Sequence, residues 1–231
     1  MWDFEEGEVL AFDKPLRWTS FDLVAKVRWN LCQKLGRKKL KVGHTGTLDP
    51  LATGVVILCT GKKTKLIESL QYDVKEYEAT LQLGATTPSY DMEKPVDATY
   101  PTAHITRELI DRTIPLFVGE QWQTPPAFSA IQINGKRAYE FARKGEEVEL
   151  KPRLLVIDEI EVLNFDETAM QLTIRVVCSK GTYIRALARD IGERLGSGAY
   201  LTALRRTRVG NIRVEDCYTI EQFLEKLMAN G

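Results

Sequence analysis

The twelve residues from Gly43 to Gly54, GHTGTLDPLATG, run directly into the apolar segment Val55 to Cys59. Within them Pro50 fixes its own φ and pushes Asp49 out of the helical region into an extended conformation. A chain with this segment must place Asp49 in a loop ahead of a buried strand, not on the surface of a helix. Gly43, Gly46 and Gly54 permit backbone angles and close approaches that a side chain would forbid, the kind of loop that lets a bulky ligand reach the main chain. A carboxylate held there suits chemistry. Taken alone, the same residues also describe an Asp-Pro turn entering a strand, with Thr45 and Thr47 making local hydrogen bonds.

The rest of the chain reads as α+β. Val9 to Phe12 fits a first strand, and Ser20 fits the N-cap of a helix reaching about Leu35, with Val24, Val27 and Leu31 on one face and Gly36 as its stop. Lys75 to Gly84 alternates, with Tyr77, Ala79, Leu81 and Leu83 on one face and Glu76, Glu78, Thr80 and Gln82 on the other, as in a half-exposed strand. Met170 to Cys178 repeats that pattern. Ile184 to Leu195 reads as a helix closed by Gly196, and one more helix fits Ile220 to Met228. Strands and helices do not alternate strictly, which favours a mixed or antiparallel sheet. No repeat or linker marks a domain boundary, so 1–231 is expected to be one domain. Thr124 to Pro152 stands apart, with Pro125-Pro126, the turn Asn134-Gly135, a short helix from Ala138 to Lys144 and an acidic stretch, and it reads as an insertion.

Composition excludes several classes. No apolar run reaches the length of a membrane span, and the acidic start Met1-Trp2-Asp3-Phe4-Glu5-Glu6 is unlike a signal peptide. Cys32, Cys59, Cys178 and Cys217 are far apart with no CxxC, and His44 and His104 are the only histidines, so no metal is expected and the thiols suit the cytoplasm. Thirty-two basic residues balance thirty-two acidic ones, yet charge is segregated along the sequence. Lys26 to Lys41 holds seven basic residues and no acid, and Arg175 to Arg213 holds nine against Asp190 and Glu193. One basic face for RNA would need such segregation, although a solvated helix end accounts for the first cluster almost as well. Gly61-Lys62-Lys63-Thr64 faintly suggests a phosphate loop, but six residues separate Gly54 from Gly61 where a P-loop needs four.

The string GHTGTLDPLATGVVILCTGKKTK resembles the catalytic motif of the TruB family of tRNA pseudouridine synthases. Four further segments follow the family's order: LAFDKPLRWTSFDLVAKVR, KEYEATLQLG, PPAFSAIQINGKRAYEFARKG and SKGTYIRALARDIGERLGSGAYLTALRRTRVG. The resemblance implies the pseudouridine synthase fold, a long mixed sheet flanked by helices with a central active-site cleft. It also implies conversion of the T-loop uridine conventionally numbered 55 in tRNA, without a cofactor, by a monomer acting on the T-arm stem-loop. A chain of this length is expected to lack the C-terminal PUA domain that many members carry. A tRNA-folding chaperone with a vestigial catalytic site is the rival reading.

By motif, Asp49 matches the essential aspartate, whose attack on C1′, addition to the ring or removal of a 2′ proton the sequence leaves open. Tyr77 matches the tyrosine that stacks on the flipped base, and Arg185 the arginine that pairs with the aspartate and keeps it ionised. Tyr183 and Leu204 match pocket residues, and His44 the ring that fills the space left by the flipped base. Lys38, Lys39, Arg205 and Arg206 are expected to contact RNA, as are Lys136, Arg137 and Arg143 in the insertion, which matches the family's thumb. Gln132 stands where the family usually has lysine. Thr86 to Asp91 replaces a Thr-Asp-Thr segment, leaving Asp91 as the matching acid.

Overall fold

The computed structural model describes residues 2–71, 74–129, 131–133, 135–146 and 149–229, the side chains of Ile133 and Arg143 excepted. The first half of the chain forms β1 (Val9–Lys14), α1 (Ser20–Leu35), β2 (Val42–His44), β3 (Ala52–Thr60) and α2 (Ile67–Leu70). Next come β4 (Lys75–Leu83), β5 (Ala85–Thr86), β6 (Ala98–Thr99), α3 (Arg107–Thr113) and β7 (Gly119–Gln123). The insertion holds β8 (Gln132–Ile133), β9 (Lys136–Arg137) and α4 (Ala138–Arg143). The chain closes with β10 (Arg153–Asp166), β11 (Gln171–Cys178), α5 (Ile184–Arg194), β12 (Ala199–Val209), β13 (Ile212–Arg213) and α6 (Ile220–Ala229).

Among the described residues the main sheet has nine strands, in the order β1-β3-β12-β4-β11-β10-β7, with β2 on β3 and β13 on β12. It is mixed. β1 and β2 pair antiparallel with β3, β10 pairs antiparallel with β11 and β7, and β12 lies parallel to β3 through Leu204↔Ala52, Arg205↔Thr53 and Arg206↔Gly54. The α+β expectation therefore holds. The chain divides into two compact units, residues 1–77 with 204–231, and residues 78–203. Both cuts fall inside strands, β4 and β12.

In the first unit, β3 carries the unbroken buried run Val55, Val56, Ile57, Leu58 and Cys59, each large aliphatic side chain stabilising by about 1.5–3 kcal/mol. Helix α1 buries Leu23, Val24, Val27 and Leu31, as its spacing requires. Its cap differs by one residue from the sequence expectation. Thr19 is the N-cap, its hydroxyl accepting from the Asp22 N–H while Asp22 accepts from the Thr19 N–H. Ser20 is thereby released for a different task, described below. Gly36 ends the helix at φ +62°. Trp2, Phe4, Phe12, Tyr218 and Phe223 form an aromatic cluster with ring centroids 5.2–6.5 Å apart.

In the second unit, Ala79, Leu81 and Leu83 of β4 alternate into the core with Leu172, Ile174 and Val176 of β11 and Ile184, Leu187 and Ile191 of α5. The insertion begins at the end of β7 and builds a small hairpin, Gln132↔Arg137 and Ile133↔Lys136, then α4. Asn134, expected in that turn, lies outside the described residues. No helix among the described residues is long and apolar enough to cross a membrane.

Candidate active site

The loop between β2 and β3 is fixed from several sides. Thr45 donates its N–H to the Ile57 carbonyl at 3.0 Å, and Ala52 donates to the Asp49 carbonyl at 3.0 Å. The Ser20 hydroxyl, buried at the start of α1, accepts from the Leu48 N–H at 2.9 Å and donates to the Leu48 carbonyl at 3.2 Å. Residue 17 donates its N–H to the Pro50 carbonyl at 2.7 Å. These bonds hold both neighbours of Asp49 and leave the Asp49 carboxylate half-buried.

Arg206 supplies the strongest support. Its side chain is only 3% exposed, and its three guanidinium nitrogens donate to Val55 O (Nε, 2.7 Å), Thr47 O (Nη1, 3.2 Å) and Gly46 O (Nη2, 3.2 Å). The expected RNA-facing role for Arg206 is therefore corrected: its charge is turned inward and satisfied by carbonyls of the loop. Gly54, at φ +108°, makes this possible, since a Cβ there would overlap the Arg206 carbonyl.

Lys14 is a second buried cation in the same unit, with no solvent exposure. Its ammonium donates to Trp18 O at 2.6 Å and Pro15 O at 3.0 Å. Burial pushes it down to about 8, and among the surrounding charges Asp49 opposes that shift most while Arg206 adds to it. Asp49 thus lies within electrostatic reach of a buried lysine. His44 ends β2 opposite Leu58. Burial, then the Arg206 charge, lowers its pKa below the ordinary 6.5, and the Gly46 backbone opposes this weakly. Nδ1 nevertheless finds no partner of hydrogen-bond geometry among the described residues. The imidazole is neutral near pH 7, as a packing or stacking ring should be and an imidazolium acid is not.

Tyr77 is 7% exposed in β4. Its neighbour Glu76, expected on the exposed face, is buried as well, because it accepts from the Thr207 hydroxyl at 2.9 Å and has the Arg208 guanidinium 3.6 Å away. Leu204 shares a face of β12 with Arg206 and sits half-buried beside Ala52. Arg205, one residue on, points to the opposite face, where it clasps the Asp13 carboxylate at 3.1 and 2.7 Å and the Thr53 hydroxyl at 3.1 Å. Arg205 remains partly exposed, with its fork committed to Asp13.

Tyr183 and Arg185 belong to the second unit. Tyr183 is the N-cap of α5, and its backbone exchanges two hydrogen bonds with the Gln123 amide, N–H to Oε1 at 2.9 Å and Nε2 to O at 3.2 Å. Arg185, in the first turn of α5, is 5% exposed. It donates to Phe128 O at 2.8 Å and Ser89 O at 3.2 Å, with the Asp91 carboxylate 3.8 Å from Nε. It is not a surface arginine, and Asp91 is the acid beside it. Arg189, one turn further along α5, holds Thr124 O at 3.0 Å. The root of the insertion is thus fastened to α5 by Gln123, Arg185 and Arg189.

The remaining cations face solvent. Lys38 and Lys39 are exposed beyond the end of α1, and Lys136 and Arg137 are exposed in the small hairpin. The Arg143 side chain lies outside the described residues. Among the described residues no group of three or more His, Cys, Asp or Glu side chains could hold a metal ion.

Sequence reasoning missed Lys14 altogether, although the signal was present: Leu10, Phe12 and Lys14 share the buried face of β1 by simple alternation. The burial of Arg206 left no such trace, because it depends on strand pairing across about 150 residues of sequence.

Half-buried Asp49 in its pinned loop, His44 at the end of β2 and buried Tyr77 in β4 all belong to the first unit. Comparison with known proteins gives the chain a family. Residues 33–184 match the model of the TruB family pseudouridylate synthase N-terminal domain, and residues 185–231 that of the tRNA pseudouridylate synthase B C-terminal domain. The tRNA pseudouridine synthase B of Phocaeicola vulgatus is 65% identical over 97% of this chain and 95% of its own. That of Flavobacterium johnsoniae is 50% identical over 97% and 98%. Among solved structures, a chain of a Cbf5-Nop10-Gar1 complex superposes with a TM-score of 0.71 at 29% identity, over 96% of this chain and 54% of its own. The chain belongs to the TruB family of pseudouridylate synthases.

Proposed function

We propose that this chain converts the T-loop uridine at tRNA position 55 to pseudouridine, working as a monomer in the cytoplasm and recognising the T-arm stem-loop. In this reading Asp49 acts on the extracted nucleotide. The N1–C1′ bond breaks, the uracil turns within the pocket, C5 joins C1′, and the C5 proton is lost as N1 regains one. The reaction is an isomerisation and consumes no co-reactant.

The residues divide the work. Tyr77 stacks on the flipped base, Tyr183 and Leu204 wall the uracil, and the neutral ring of His44 fills the gap left in the stack. By its family match Arg185 is the third catalytic residue, the cation that supports the reacting carboxylate. Lys38, Lys39, Lys136, Arg137 and Arg143 meet phosphates, and Arg205 adds a weaker contact. The single observation that carries the reading is the placing of Asp49: a carboxylate in a loop whose neighbours are held by Ser20, Arg206 and residue 17, within electrostatic reach of buried Lys14.

The test is tritium release from C5-labelled uridine in unmodified tRNA, with the product mapped to its position, run in parallel on an isolated T-arm stem-loop. Release from both substrates at the T-loop uridine is expected. Pseudouridine formed only in ribosomal RNA, or none formed at all, ends the assignment.

A further inference from the structure

Arg17 lies in the turn between β1 and α1, and its φ of +68° puts it in the left-handed region. Glycine adopts that conformation readily and asparagine tolerates it, whereas an arginine is held there under strain. Among the described residues two other non-glycine residues have positive φ, Tyr90 and Met170. Each has an evident structural use: Arg189 lies 5.2 Å over the Tyr90 ring, and the Met170 carbonyl accepts the Leu83 N–H beside the β10–β11 turn.

Arg17 has no such use for its side chain. It is exposed, and its guanidinium makes no hydrogen bond or ion pair among the described residues. The strain comes from the frame around it. Lys14 holds the carbonyls of Pro15 and Trp18 from inside, and the Arg17 N–H is tied to the Pro50 carbonyl at 2.7 Å. A glycine would satisfy the same frame without strain. An exposed, unpaired cation kept in an unfavourable conformation, one hydrogen bond from the residue after Asp49, calls for a ligand.

We infer that Arg17 is a further RNA-binding residue, whose guanidinium engages a backbone phosphate of the strand that delivers its nucleotide to Asp49. The planar fork of arginine matches two phosphate oxygens at once. This rests on the reading of Asp49 as the centre of an RNA pseudouridine synthase.

Arg17→Gly separates the two consequences of the side chain, since it relieves strain and removes the cation together. The melting temperature should equal or exceed that of the wild type. The Kd for tRNA should rise roughly three- to tenfold at 0.1 M salt, and the slope of log Kd against log salt should shrink by about 1. Arg17→Asn, neutral and tolerant of positive φ, should show the same binding defect, and Arg17→Lys should keep most of the slope. Wild-type Kd and slope in Arg17→Gly, or weaker binding accompanied by a lower melting temperature, overturns the inference. Tritium release by the wild type is measured beside it. An inactive wild type refutes the proposed function, whereas an active wild type with an unaltered Arg17→Gly refutes this inference alone.

Discussion

The loop from Gly43 to Val55 and the insertion from Thr124 to Pro152 are both rich in glycine or proline and both depend on arginines, but they use them in opposite ways. In the loop, the cations that matter are buried: Arg206 donates to three carbonyls, and Lys14 sits beneath the adjoining turn. In the insertion, buried Arg185 and half-buried Arg189 secure only the root, through Phe128 and Thr124. Between Ile131 and Pro152 Ala138 is the one buried side chain among the described residues, and the backbone bonds of the hairpin and α4 are mostly local. A buried cation shapes the polypeptide around it, whereas an exposed one remains available to a ligand. The loop is therefore held in a fixed geometry, while the distal insertion rests on few buried side chains and mostly local bonds.

Four perturbations test this contrast, in decreasing order of expected effect. Asp49→Asn keeps the side chain's size and removes its charge. Turnover in the tritium assay should fall roughly 10⁴-fold or more, the scale of deleting a nucleophile, with tRNA affinity close to wild type. Appreciable turnover by this variant would remove Asp49 from the chemistry and leave the pinned loop without a purpose.

Arg206→Met should come second. It leaves three carbonyls without their donor and is expected to destabilise the fold by about 3 kcal/mol, read from urea unfolding, with a loss of turnover at temperatures where the variant is still folded. Wild-type stability in Arg206→Met would mean that the loop holds its shape unaided.

Lys14 provides a pH signature. The unfolded amine keeps its proton up to the ordinary 10.5, while the folded one releases it near 8. Between those values the unfolded chain binds more protons, so this group makes the protein more stable as pH rises, by about 3 kcal/mol across the window. The difference between wild type and Lys14→Met should trace that rise. A flat difference from pH 8 to 10.5 would show that Lys14 is not buried as a charge.

The smallest effect on the fold belongs to the insertion. Changing Lys136 and Arg137 together to alanine should leave stability within about 0.5 kcal/mol while the salt slope of tRNA binding falls by about 2. A large drop in melting temperature, or an unchanged slope, would erase the distinction between the two regions.

Much of this was legible in the chain. The Asp-Pro loop before an apolar strand, the heptad-like face of α1 and the alternation of β4 and β11 each reflect a local period or a local steric rule. The N-cap was legible too, because Thr19-x-x-Asp22 is a capping-box pattern and Ser20 has no acid three residues on. What the sequence hid was non-local. Arg205 and Arg206 are neighbours of one type, and only the pleat of β12 against β3 decides that one clasps Asp13 while the other is enclosed. Glu76 likewise looks solvent-facing until β12 brings Thr207 and Arg208 to it.

The cut through β4 and β12 also sets an order of events during synthesis. The part of β12 that completes the Asp49 loop, from Leu204 on, follows Glu78 to Ala203, a stretch a ribosome needs roughly ten seconds to make. During that interval Val55 to Cys59 is already made but β12 is not, so Arg206 cannot yet reach Gly46, Thr47 and Val55. The nascent protein therefore carries its apolar strand and the Asp49 loop for seconds before either is set in place. A ribosome stalled before Leu204 should display a chain that proteases cut within residues 43–60, and release of the full chain should close that window.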